Sequence, residues 1–101
     1  MFIVRYRVKA RPEKADDLFA ALKEVVPPSR AIPGVVSFDI GRDITDRNIF
    51  VATEVYESTV AREQQGALQE VATLTSVLPD SLGAAPQANL YHVRSSDSTN
   101  T

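Results

Sequence analysis

The amino-acid sequence predicts an α+β domain in which a four-stranded antiparallel sheet is covered on one side by helices. Three observations predict it. Four short segments alternate apolar and polar residues with a period of two; two longer segments carry apolar stripes at helical spacing; and the segments follow in the order β-α-β-β-α-β. Right-handed crossovers turn that order into a ferredoxin-like sheet, with strand order 4-1-3-2 and both helices on one face.

Residues 2–9 (FIVRYRVK) open the sheet, with Phe2, Val4, Tyr6 and Val8 on one face and Ile3, Arg5, Arg7 and Lys9 on the other. Pro12 suits the first turn of a helix, and Glu13, Asp16 and Asp17 stand near its positive end. Leu18, Phe19, Leu22, Val25 and Val26 form its apolar stripe, and Pro27-Pro28 is expected to stop it. Ile32-Pro33-Gly34 is a turn signal. Residues 35–42 (VVSFDIGR) form the next strand, with Val36, Phe38 and Ile40 on one face, and Asp43 to Asn48 make a hairpin connection. Residues 49–57 (IFVATEVYE) are the clearest strand: Ile49, Val51, Thr53 and Val55 share one face, Phe50, Ala52, Glu54 and Tyr56 the other. Ser58 or Thr59 caps a second helical region running to about Leu78, with a bend or break at Gly66. Leu68, Val71, Leu74, Thr75 and Leu78 give its second piece a buried stripe, and Pro79, Gly83 and Pro86 end it. Residues 88–94 (ANLYHVR) make the last strand. The domain is expected to cover 1–94, and the polar tail 95–101 to be disordered.

A chain of 101 residues suits one domain, which would expose about 5,600 Å² once folded. With 11 basic and 13 acidic residues in no sign-biased block, the usual electrostatic warrant for binding nucleic acid or an anionic membrane is missing. The lack of cysteine excludes disulfides and thiolate catalysis, and the single histidine, His92, cannot build a histidine-rich zinc site. The four glycines are scattered singly, so no phosphate-cradling loop is present. Apolar runs of only a few residues are too short to span a membrane, and the alternating start reads as a strand and not as a signal peptide. The expected location is the cytoplasm.

With helices on one face, the other face decides assembly. The polar-leaning set (Ile3, Arg5, Arg7, Val35, Ser37, Asp39, Phe50, Ala52, Glu54 and Tyr56) mixes charge with large apolar groups. Arg5 and Arg7 are expected beside Glu54, and Glu54 beside Asp39, as cross-strand ion pairs. Such a face suits a symmetric homodimer joined through its sheets; the alternative is a monomer with a solvated outer face.

Four pieces of the chain carry a resemblance to a known family. VKARPEKADDLFAALKEV ends the first strand and starts an acidic helix, SRAIPGVVSFDIGRD holds a Pro-Gly turn before the second strand, NIFVATEVYES is the third strand, and NLYHVR falls at the distance of the last. Over residues 2–94 the chain resembles the antibiotic biosynthesis monooxygenase family of dimeric α+β barrel proteins, which includes quinol monooxygenases. Four positions depart from the family pattern. Tyr56 replaces a frequent Trp, Gln65 and Glu70 stand where many members have helix histidines, and Ala52 replaces an Asn found in some.

The resemblance implies oxygenation of a small aromatic quinol or polyphenol by O₂ with no cofactor, inside a homodimer. Such chemistry asks the protein for an apolar chamber, a base or hydrogen-bond partner for the substrate hydroxyl, and fixed dipoles for the anion. His92 is the first candidate base, since histidine titrates near neutrality; its alternative is a hydrogen-bonded residue at a sheet edge or dimer seam. Tyr6, Tyr56 and Tyr91 would bond a quinol oxygen, or serve as packing residues. Asp39 and Glu54 would be bases if buried, and otherwise ion-pair partners. Phe19, Leu22, Phe38 and Leu74 line the expected chamber or fill the core; Gln65 and Glu70 face that chamber or water. The competing function is a non-catalytic dimeric module that binds a hydrophobic small molecule.

Overall fold

The computed structural model describes residues 1–99. Strand β1 (Phe2–Lys9) leads through a 3₁₀ turn (Pro12–Lys14) into helix α1 (Ala15–Arg30); β2 (Val35–Asp43) and β3 (Asp46–Tyr56) form a hairpin; α2 (Thr59–Gly66) and α3 (Gln69–Ser81) return to β4 (Gln87–His92). The sheet order β2-β3-β1-β4 is the predicted order read from its other edge, and every neighbouring pair is antiparallel. The helical region breaks at Gly66 as expected, and Ser58 is the cap, its side chain accepting a hydrogen bond from the Ala61 amide. Residues 95–99 form no helix or strand, and the last two positions of the expected disordered tail lie outside the described residues.

The core forms where the helices meet the sheet. Ala10, Ala15, Leu18, Leu22 and Phe50 make one buried cluster, closed by Val8, Ile40 and the α3 residues Leu74 and Leu78. Val4, Tyr56 and Ala61 make a second, closed by Phe2, Tyr6 and Val35. Gly34 sits at φ +89°, a conformation that other residues rarely adopt, and its Cα lies so close to α2 that an added Cβ would meet the Ala61 Cβ at 2.8 Å.

Several expectations are corrected. Pro27 and Pro28 lie inside α1, which continues to Arg30. The prolines remove two amide donors, but the last turn is held by burial of Val25 and Ser29, by the Ser29 hydroxyl donating to the Val25 carbonyl at 2.7 Å, and by the Ala31 amide donating to the Pro27 carbonyl. Pro79 likewise lies inside α3; the helix end is tied to β1 by the Arg11 amide on the Ser81 carbonyl and the Gly83 amide on the Lys9 carbonyl. The hairpin loop is shorter than expected: Asp43 pairs with Asp46, and the Asp43 carboxylate accepts from the Thr45 hydroxyl at 2.5 Å and from the Thr45 amide at 2.7 Å, which together hold its pKa below the usual carboxylate value. An irregularity between Val35 and Ser37 turns Val36 out to 51% exposure, while Val35 packs on the second cluster.

The largest correction concerns the faces of β3. Register pairs Val4 with Glu54, Tyr6 with Ala52, Val8 with Phe50 and Phe38 with Glu54. Phe50, Ala52, Glu54 and Tyr56 therefore face the helices, opposite to expectation. The reason is ring volume: Phe50 and Tyr56 are 2% and 0% exposed, and strict alternation carries Glu54 inward with them. The expected Arg5–Glu54 and Arg7–Glu54 pairs do not form; Arg5 and Arg7 lie opposite Thr53 and Val51, and Asp39 pairs with Arg30 at 2.8 Å.

Candidate functional site

A cavity of about 420 Å³ lies between the sheet and the helices. Val8, Phe38, Ile40, Phe50 and Ala52 form its sheet wall, Leu22 and Val25 its α1 wall, and Val71, Leu74 and Leu78 its α3 wall. Against this apolar lining stand five polar side chains: Tyr6, Glu54, Arg62, Gln65 and Thr75. The size is that of a small-molecule site, and the few polar groups are what would orient an occupant.

Glu54 is the unusual member. It is 7% exposed, and the Tyr56 hydroxyl donates to its Oε1 at 2.5 Å. Burial pushes the Glu54 pKa up, while the Tyr56 hydrogen bond and the Arg62 charge pull it partly back. Burial also raises the pKa of Tyr56, as does its hydrogen bond to Glu54, so Tyr56 stays a neutral donor. Gln65 is held by donating from Nε2 to the Ser29 hydroxyl at 3.1 Å.

A second, smaller cleft of about 270 Å³ shares Leu22, Ile40 and Phe50 with the first and adds Phe19, Lys23 and Arg42. The Arg42 guanidinium lies 4.8 Å from the Phe19 ring centre and 5.0 Å from that of Phe50. It also donates to the Ala15 carbonyl and pairs with Asp16 at 3.3 Å.

Of the site residues expected from sequence, Tyr6, Leu22, Phe38, Gln65 and Leu74 line the large cavity together. Tyr56 lies beneath it with no exposed surface. Phe19 lines the small cleft instead. His92 and Tyr91 are exposed on β4, and Glu70 stands in the first turn of α3, so these three line neither space. Arg62 was not singled out. Its signal was available in the spacing Arg62, Gln65, Gly66, which puts it on the same helix face as Gln65. Among the described residues, no group of three or more His, Asp or Glu could hold a metal ion, and no helix is long and apolar enough to cross a membrane.

Comparison with solved structures places this fold among close neighbours. A Mycobacterium tuberculosis protein superposes with a TM-score of 0.87 at 21% identity, covering 96% of this chain and 98% of its own. A candidate antibiotic biosynthesis monooxygenase from Nitrosomonas europaea also reaches 0.87, at 18% identity, covering 94% of this chain and 100% of its own. At these identities the likeness concerns the fold. An uncharacterised protein of Synechocystis is 24% identical over 91 residues, which are 90% of this chain; the chain spans 62% of the length of that curated relative. The sequence profile of the antibiotic biosynthesis monooxygenases matches residues 1–74, and the chain belongs to that family.

Proposed function

We propose that the protein is a monooxygenase that uses no cofactor and oxidises a small aromatic quinol or polyphenol with O₂. In such a reaction one oxygen atom enters the ring, the other leaves as water, and the substrate supplies the electrons. The supporting observation is the apolar cavity of about 420 Å³, in which a few hydroxyl, carboxyl, amide and guanidinium groups converge. Tyr6 is the expected hydrogen-bond donor of the original candidate set that borders this space; Leu22, Phe38 and Leu74 would hold the ring. We place the enzyme in the cytoplasm as a homodimer. The exposed area of 6687 Å² exceeds the roughly 5,600 Å² of a typical monomer this size, and all six residues of β4 are exposed, Leu90 and Tyr91 among them. Oxygen-electrode measurements with a panel of quinols, followed by product mass, test the activity. Enzyme-dependent uptake with a gain of one oxygen atom is expected; no uptake from a folded protein of dimer mass overturns it.

A non-catalytic module for a hydrophobic small molecule is the second reading. It is favoured by Gln65 and Glu70, which stand where family histidines would be, Gln65 already spent on Ser29. Aromatic ligands that raise the unfolding temperature without turnover would select it.

A further inference from the structure

We propose that Glu54 is the proton acceptor of the large cavity and Arg62 the cation that holds the resulting aromatic oxyanion, so that the cavity takes phenols and quinols with a free ring hydroxyl. The catalytic meaning of this pair rests on the monooxygenase reading above; binding and proton transfer can be measured without it.

Glu54 lines the cavity although its side chain is more than nine-tenths buried, at 7% exposure. Its two oxygens differ. Oε1 is fixed by the Tyr56 hydroxyl, and Tyr56 is itself fully buried. Oε2 has no hydrogen-bond partner among the described residues. It is not sealed off either, because the only fully enclosed, unpartnered side-chain nitrogen or oxygen among them is Nε of Arg42. Tyr56 thus locks one side of the carboxyl group and leaves the other free towards the void. A carboxylate bonded only once in an apolar wall is undersatisfied, and a hydroxyl donor supplied by a ligand would complete it.

Arg62 supplies the second half. It borders the same cavity from α2, and its positive charge acts on both Glu54 and Tyr56. Yet it forms no ion pair among the described residues, where Lys9, Arg30, Arg42 and Arg47 take the pairs. A guanidinium in this position matches an oxyanion on an aromatic ring by charge and by its planar donor fork. In the step itself the ring O–H proton moves to Oε2 of Glu54. The bonding electron pair stays on the ring oxygen, and the cavity exchanges one carboxylate for one phenolate beside the same cation. The charge of the cavity is unchanged, so its dry walls impose little penalty. The charged and hydroxyl groups that act on Glu54 are Tyr56 on its own strand and Arg62 on α2; apolar Val4 of β1 and Phe38 of β2 lie opposite it in the sheet, and Tyr6, Leu22 and Val25 line the same cavity.

The test uses 4-nitrophenol, whose anion absorbs visible light, at a pH where the free probe is mostly protonated. The wild-type protein is expected to bind it with the phenolate band developed. Glu54→Gln keeps an acceptor for Tyr56 but loses the base, and should lose the band. Arg62→Gln should weaken binding of the ionised probe about tenfold or more. With a quinol that supports oxygen uptake, Glu54→Gln should lower kcat about 10²–10⁴-fold and remove the acidic limb of the pH profile. Unfolding curves check that each variant folds; if Glu54→Gln does not, the wild type and Arg62→Gln carry the test. Failure of the probe to bind, binding in the neutral form, or an unchanged ionised fraction in the variants overturns the assignment. Uptake that persists in Glu54→Gln overturns this proposal and leaves the oxygenase reading standing. A phenolate band without uptake from any quinol does the reverse.

Discussion

The two cavities share a wall of Leu22, Ile40 and Phe50 but differ in what their polar groups are doing. In the small cleft the Arg42 charge is already spent on Asp16, on the Ala15 carbonyl and on the faces of Phe19 and Phe50. In the large cavity Glu54 has one oxygen tied to Tyr56, and Arg62 forms no ion pair among the described residues. Similar apolar walls therefore serve two ends. The small cleft anchors the β2–β3 hairpin to α1 through Arg42, whereas the large one holds a carboxyl oxygen and a guanidinium that are not paired among the described residues. Void volume alone does not distinguish them, and neither does an unpartnered atom as such: Nε of Arg42 lacks a partner but is enclosed, whereas Oε2 of Glu54 lacks one among the described residues and is not enclosed.

The largest effect is expected at the shared wall. Phe50→Ala should cost about 3–5 kcal/mol in urea unfolding, because Phe50 is 2% exposed and supports both spaces. A loss well under that range would mean that the partition between the cavities bears no packing.

Next comes Tyr56→Phe, which acts on the large cavity alone. It strips a buried carboxyl of its only donor among the described residues and should cost about 1–3 kcal/mol. The Tyr56 hydrogen bond lowers the Glu54 pKa, so its removal should raise that pKa further, as read by NMR titration of the carboxyl carbon. The sign of the stability effect follows. Because the folded pKa of Glu54 lies above its ordinary 4.5, the contribution is fully present below that value and is lost as pH rises through the raised one. Urea midpoints of the wild type should fall over that window, and Glu54→Gln should flatten the trend.

Arg42→Leu should cost about 1 kcal/mol, the scale of its ring contacts, and leave the large cavity's polar groups unaltered. Asp39→Asn, on the outer face and away from both spaces, should change the thermal midpoint least. Its pair with Arg30 is exposed and worth about 0–1 kcal/mol.

Much of this was legible in the residues. The alternation in FIVRYRVK and IFVATEVYE marks strands, the stripe from Leu18 to Val26 marks a helix, and Gly66 marks a break. Leu22, Phe38 and Leu74 read as wall residues because apolar groups at those spacings must turn towards one another. Glu54 was misread for a definite reason. Both faces of β3 are rich in apolar groups, and a carboxylate ordinarily points to water, so alternation identified the two sets without ranking them. The prolines misled similarly. Their missing amides argue for a helix end, but one turn costs less to keep than Val25 and Ser29 cost to expose.

Periodicity, order and turn chemistry, all local properties, determined the sheet and its topology, and four segments carried the resemblance to the family. Only tertiary packing decided that Phe50 and Tyr56 lie under the helices, because that choice depends on the volume available between layers that are distant in sequence. The same choice carried Glu54 into the interior two residues from Tyr56, and the helix turn after Ser58 brought Arg62 and Gln65 over it. The candidate site follows from that packing: the burial of two rings draws one carboxyl group out of water and leaves one of its oxygens without a partner among the described residues.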